Sequence, residues 1–149
     1  MGSVAHIFVA PHRGAPMKRL DDAYAIAGEG LSGDRYAEAV NRLSPSHEIT
    51  LIESEHIDAF ARELRLTFSP EMPRRNIVTT EVSLNDLLGK RFRIGDAVLE
   101  GLELCEPCRL FARRTHRAVR KFFVGKGGLR ARIVTGGRIR VGDKICRDD

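Results

Sequence analysis

Apolar and polar residues alternate with several different periods along this 149-residue chain, and each change of period marks an element. Val4 to Ala10 is rich in β-prone residues and stops at Pro11, which predicts an opening strand. His47 to Ile52 predicts a second. From Glu53 to Leu66 the pattern changes, with Ile57, Phe60, Ala61 and Leu64 at i, i+3, i+4 and i+7, the stripe of an amphipathic helix. Arg75 to Thr80, led in by Pro73, predicts a short strand, and Leu84 to Leu88 a helical turn that stops at Gly89. Phe92–Ile94 and Ala97–Cys105 read as two strands about Gly95-Asp96, a dipeptide that favours a tight hairpin.

Beyond Cys108 the helical period returns. Phe111, Thr115, Ala118, Val119 and Phe122 share one stripe, which predicts a helix stopped by Gly125. Leu129–Thr135 and Arg138–Ile145 then read as strands joined at Gly136-Gly137, a two-residue hairpin signal, with Ile139, Val141 and Ile145 on one face of the last strand. There is no internal repeat, low-complexity tract or linker. Short strands at close intervals, with two or three inserted short helices, predict a mainly β fold: a single domain over residues 1–149 built as a closed or nearly closed β-barrel.

Composition narrows the class. Apolar residues at 42% and charged residues at 30% are ordinary for a soluble globular protein. A chain of this length buries about 68–70% of its unfolded surface. No apolar run approaches the roughly 18 residues of a transmembrane helix, so no membrane association is expected. The N-terminus lacks the basic start and long apolar core of a signal peptide. Three cysteines, an odd number, argue for a reducing compartment, and the expectation is cytoplasmic.

Charge changes the picture. Residues 105–108 read Cys-Glu-Pro-Cys, and from Pro107 to Gly142 there is no Asp or Glu. That stretch contributes +11 to a chain whose net charge is +5, leaving −6 for the remainder. Cysteine acts as nucleophile or metal ligand in its thiolate form, which nearby cations favour. Guanidinium groups also match phosphate oxygens bidentately. The segment therefore suits thiol or soft-metal chemistry beside an anion. Zinc would need about four ligands, and no second Cys-x-x-Cys or His pair follows. A thioredoxin-like dithiol at Cys105 and Cys108 fits poorly with β-rich surroundings. RNA binding is a further reading, with Tyr36, Phe111, Phe122 and Phe123 as stacking faces, although the chain carries no recognised nucleic-acid motif and Phe111 and Phe122 fall on the apolar stripe.

Two other motifs carry candidate chemistry. Gly33-Asp34-Arg35 lies in a glycine-punctuated loop, where a ligand can approach the backbone or Asp34 can cap a turn. Arg74-Arg75-Asn76, placed at a barrel rim, offers guanidinium and amide groups to an anion such as phosphate, or its two arginines bracket the strand entrance as solvent-facing charges. Arg113, Thr115 and His116 are candidates by proximity to Cys108, and His47 is a weaker candidate for proton delivery. Cys146 reads as structural or incidental.

Taken in order, these motifs resemble the MOSC domain family, related to the C-terminal part of molybdenum cofactor sulfurases, in its small stand-alone bacterial form. The resemblance runs through Gly14-Ala-Pro-Met17, Gly30-Leu-Ser-Gly33-Asp34-Arg35-Tyr36, Arg74-Arg75-Asn76-Ile77, Leu88-Gly-Lys-Arg-Phe92, Pro107-Cys108, Gly128-Leu-Arg-Ala131 and Gly142-Asp143. It implies a barrel like the one inserted in pyruvate kinase. It implies a site for the pyranopterin molybdenum cofactor, with Cys108 as metal ligand and catalytic residue, while Cys105 stands at a position that is often not cysteine in small stand-alone members. Arg74, Asn76, Gly33, Asp34, Arg35 and Arg109 are the cofactor-binding candidates. The activity implied is reduction of small N-hydroxylated compounds, with electrons from a separate donor protein, since the chain has no flavin, haem or iron–sulfur motif. The alternative within the family is a persulfide carrier, Cys108 passing sulfur to a metal cofactor. Full sulfurases generate that sulfur in a pyridoxal-phosphate domain, for which this chain has no room.

Overall fold

In several strands both faces are apolar, and the fold explains why. The computed structural model describes residues 2–41 and 44–148. Its strands are β1 (Gly2–Val9), β2 (Lys18–Leu20), β3 (Asp22–Ile26), β4 (Gly30–Leu31), β5 (Ile49–Glu53), β6 (Ile77–Thr80), β7 (Arg91–Ile94), β8 (Ala97–Leu104), β9 (Leu129–Thr135), β10 (Gly137–Arg140) and β11 (Lys144–Arg147). The α-helices are α1 (Ser54–Leu64), α2 (Arg109–Arg114) and α3 (Val119–Phe122). Seven strands close a barrel in the order β11-β7-β8-β9-β5-β6-β1, with β1 returning to β11 through Gly2 opposite Ile145, and β2 adds to the outer edge of β1. The expected mainly β barrel with inserted short helices is the observed fold.

Two cores follow from strand alternation. Ile7, Ile49, Leu51, Ile77, Leu99, Leu129 and Ile133 fill the barrel interior. Phe8, Ile52 and Val78, each next to an interior residue on its strand, point outward instead. There they meet Ile57 and Phe60 of α1, Phe68, Phe111 of α2, Val119 of α3 and Phe123. A register shift between Val4 and His6 of β1 keeps both cores supplied from one strand. Strands β5 and β6 are parallel, and α1 lies between them in the chain as the helical crossover that parallel pairing requires. The second core thus clamps the helices onto one side of the barrel.

Three sequence expectations are corrected. The helix expected from Phe111 to Gly125 is two helices, broken where Thr115 turns back to donate its hydroxyl to Phe111 O and His116 Nδ1 accepts from Ala118 N. Gly136-Gly137 is not a hairpin turn. Strand β10 pairs with β3 in a separate three-stranded sheet, not with β9. The glycines serve close approach: a Cβ on Gly136 would lie 2.7 Å from Ala25 O, and one on Gly137 2.7 Å from the Asp96 backbone. Consequently Ile139 and Ile145, both buried, sit on different strands, and Val141 between them is 44% exposed. Strands β2, β3 and β4 carried no sequence expectation. The hairpin at Gly95-Asp96 is present between β7 and β8.

Candidate functional site

The site forms where β1 ends, near the starts of β5 and β6. Asp34 is buried and ties the glycine loop to β1: its Oδ1 accepts from Ala10 N at 2.9 Å and its Oδ2 from Tyr36 N at 3.3 Å, while Arg35 N donates to Ala10 O at 2.8 Å. It caps the 3-10 turn Arg35–Ala37. Burial pushes the Asp34 carboxyl above its usual range, against the lowering effect of those backbone N–H groups and of Arg35. The turn presents Arg35, whose Nη2 donates to Tyr36 Oη at 2.6 Å with the guanidinium 4.3 Å from the ring centroid.

Asn76 anchors the next wall. Its Oδ1 accepts from Thr50 N at 3.0 Å and Thr50 Oγ1 at 3.2 Å, and its Nδ2 donates to Phe8 O at 3.1 Å. The side chain is buried and joins β1, β5 and the start of β6, so its amide holds strands together. Just before it, Arg74 has φ +60°, a left-handed backbone rare for a side chain of this size. Arg75 is fixed by Nε to Gly127 O at 3.1 Å and Nη1 to Pro73 O at 2.9 Å, and lies over Phe111.

The third wall comes from α2. Cys108 occupies its N-cap position with an exposed thiol, whereas Cys105 is buried. Together these walls enclose a cavity of about 190 Å³. Five arginines line it: Arg35, Arg74, Arg75, Arg114 and Arg130. Cys108, Asp34, Tyr36, Thr50 and Asn76 share the lining, with an apolar side of Met17, Met72, Leu110 and Phe111. Arg130 comes from β9, where it lies opposite Thr50 and pairs with Glu103 at 3.7 Å. Neither Arg74 nor Arg114 forms an ion pair with any described residue. Burial, then Arg114 and Arg35, pull the Arg74 guanidinium below its ordinary value. A cation held beside like charges is what an incoming anion would relieve.

The structure therefore brings together Cys108, Arg74, Asn76, Asp34 and Arg35. Gly33, Arg109, Arg113, Thr115, His116 and His47 are not among the lining residues. Arg114 lines the cavity, whereas the neighbouring Arg113, also exposed on α2, does not. Sequence reasoning missed Arg75, Arg114 and Arg130 as a set. Strand alternation between buried Leu129 and Ala131 marks Arg130 as facing the other way, but only the pairing with Thr50 brings it to the cavity. Tyr36, considered as a stacking face, is the partner of Arg35 instead.

The family model for the MOSC domain matches residues 38–146, well over half of the chain. The chain belongs to the MOSC domain family. Solved structures agree on the fold. The YuaD protein from Bacillus subtilis superposes with a TM-score of 0.82 at 17% identity, covering 97% of this chain and 94% of its own. YiiM from Geobacillus stearothermophilus gives 0.80 at 16%, covering 100% and 76%, and YiiM from Escherichia coli 0.72 at 18%, covering 100% and 70%. No curated protein matches the sequence. Among the described residues of this MOSC protein, no helix is long and apolar enough to cross a membrane.

Proposed function

We propose that the cavity holds the pyranopterin molybdenum cofactor and that the loaded protein reduces N-hydroxylated compounds. The observation that carries this is the exposed Cys108 opening onto a cavity with five arginines, of which Arg74 and Arg114 have no ion-pair partner among the described residues. The donor set fits such a group: thiolate is a soft ligand for a transition metal, and guanidinium forks match phosphate. In this reading Cys108 Sγ binds the metal while Arg74 and Arg114 hold the phosphate. Asn76 and Asp34 act as positioning residues, fixing the backbone from which Arg74 and Arg35 project. When bound, the group supplies two-electron chemistry for removing oxygen from an N–OH group. Two electrons and two protons convert N–OH to N–H, and the oxygen leaves as water. The electrons come from a separate donor protein. Met17, Met72, Leu110 and Phe111 give the organic part of a substrate an apolar wall. The free cysteines fit a reducing, cytoplasmic setting.

Turnover tests this. Cofactor-loaded protein, given dithionite-reduced methyl viologen, is expected to convert an N-hydroxyamidine to the amidine, and Cys108→Ser to lose that conversion. Molybdenum-loaded protein that leaves N-hydroxyamidines unchanged would overturn the reductase reading. The same exposed thiol favours a second reading, a persulfide carrier. A mass increase of one sulfur on Cys108 after incubation with a cysteine desulfurase, in protein that takes up no molybdenum, would select it.

A further inference from the structure

The cavity accounts for only part of the acid-free segment. Arg109, Arg113, Arg117, Arg120 and Lys121 are all exposed on α2, α3 and the turn between them. None forms an ion pair with a described residue. We infer that this outer face of the helical cap is a docking surface for an acidic electron-carrier protein. The inference rests on the reductase reading, which requires two electrons per N–OH group from outside the chain.

Three observations choose this occupant. Exposed positive charge without an ion-pair partner attracts and orients an acidic partner, and it does so most strongly at low salt. Within the same segment Leu110 is 44% and Val124 63% exposed, so apolar surface is available beside these cations, and protein–protein interfaces combine apolar and charged groups. Single-stranded RNA would instead need exposed aromatic faces for stacking. Here Phe111 and Phe123 are buried in the second core, and Lys126 covers the half-buried Phe122 ring at 4.5 Å. Position also fits. Cys108 caps α2 and Leu110 and Arg114 line the cavity, so a partner seated on α2 lies at the cavity mouth.

The test compares wild type with the variant Arg117→Glu/Arg120→Glu/Lys121→Glu, whose side chains lie outside the cavity lining, and with its glutamine counterpart. Binding is measured to flavodoxin and to a plant-type ferredoxin, both acidic, and to a single-stranded RNA. Wild type is expected to bind the carriers, with affinity falling about tenfold or more on raising salt from about 50 to 200 mM. Charge reversal is expected to weaken binding about tenfold or more, and the glutamine variant less. Turnover driven by reduced methyl viologen is expected to stay unchanged while turnover driven by the carrier falls. Equal carrier binding by wild type and variants, or none, would overturn the inference. So would tighter binding of RNA than of either carrier, or low-salt self-association that charge reversal abolishes. The reductase reading fails separately: wild type without molybdenum would sink it while charge-dependent carrier binding was still measurable.

Discussion

Two sets of arginines in this protein have opposite surroundings, although the same acid-free stretch of sequence contributes to both. On the barrel wall Arg132 donates through Nε to Glu100 at 2.7 Å, on the three-stranded sheet Arg138 pairs with Asp22, and Arg130, although it also lines the cavity, pairs with Glu103. Their acids come from β8 and β3, far along the chain, which is why the segment looks acid-free on paper. Glu100 is held below its usual carboxylate range chiefly by the Arg132 hydrogen bond. At the cavity, Arg114 of the same stretch meets Arg74 and Arg35 and no carboxylate partner among the described residues. The contrast separates charge the fold has neutralised from charge left available to a ligand. Counting basic residues along the sequence cannot make that distinction, because sheet pairing decides it.

The largest expected effect lies behind the cavity wall. Asn76→Ala removes three side-chain hydrogen bonds and leaves Phe8 O and Thr50 N without this partner in a buried site. The loss is about 2–4 kcal/mol, lowering Tm by about 5–15 °C in thermal melts. An unchanged Tm would mean that the strands hold the cavity without it.

A sharper version sets one arginine of each kind side by side. Arg74→Gly relieves a left-handed backbone and like-charge crowding, so Tm is expected to rise by about 1–3 °C. Arg132→Met breaks a surface ion pair and is expected to lower Tm by about 1–3 °C. The two shifts having the same sign would break the comparison. Arg65 and Glu81 share this left-handed φ outside the cavity, so the sign of the Arg74 shift reads backbone and charge together rather than backbone alone.

The smallest effect is in pH. Burial, followed by Arg130, lowers His47 below 6.5, and burial, followed by Arg19, lowers His6. Both therefore bind fewer protons folded than unfolded between their folded values and 6.5. Stability is expected to rise with pH through that window, level off above 6.5, and be lost as pH falls. Melting curves between about pH 5 and 7.5 should show a shallow slope that His6→Gln/His47→Gln flattens. A slope unchanged in that variant would assign the dependence to other groups.

Much of this architecture is legible locally. The α1 stripe and the Gly95-Asp96 hairpin depend on neighbours in sequence, and both are present. Gly136-Gly137 misleads because its glycines answer to distant backbone at Ala25 and Asp96, a constraint no local pattern carries. The 109–125 stripe is genuine on its buried face, with Phe111 and Val119 in one core, yet the helix breaks between them. At the site, Cys108, Arg74, Asn76, Asp34 and Arg35 stand in recognisable motifs, while Arg114 and Arg130 become neighbours only through closure of the barrel and docking of α2. Gly33 and Arg109, adjacent in sequence to lining residues, do not reach the lining.

The most direct test of the central claim is the molybdenum content of protein co-produced with the cofactor pathway, measured for four chains. Wild type and Arg132→Met are expected to hold about one molybdenum per chain, as one Cys108 ligand allows. Cys108→Ser and Arg74→Met/Arg114→Met are expected to hold less than about a tenth of that, each lost charge-assisted contact weakening binding about tenfold or more. No molybdenum in wild type, or equal loss from Arg132→Met, would contradict the division between cavity and barrel arginines.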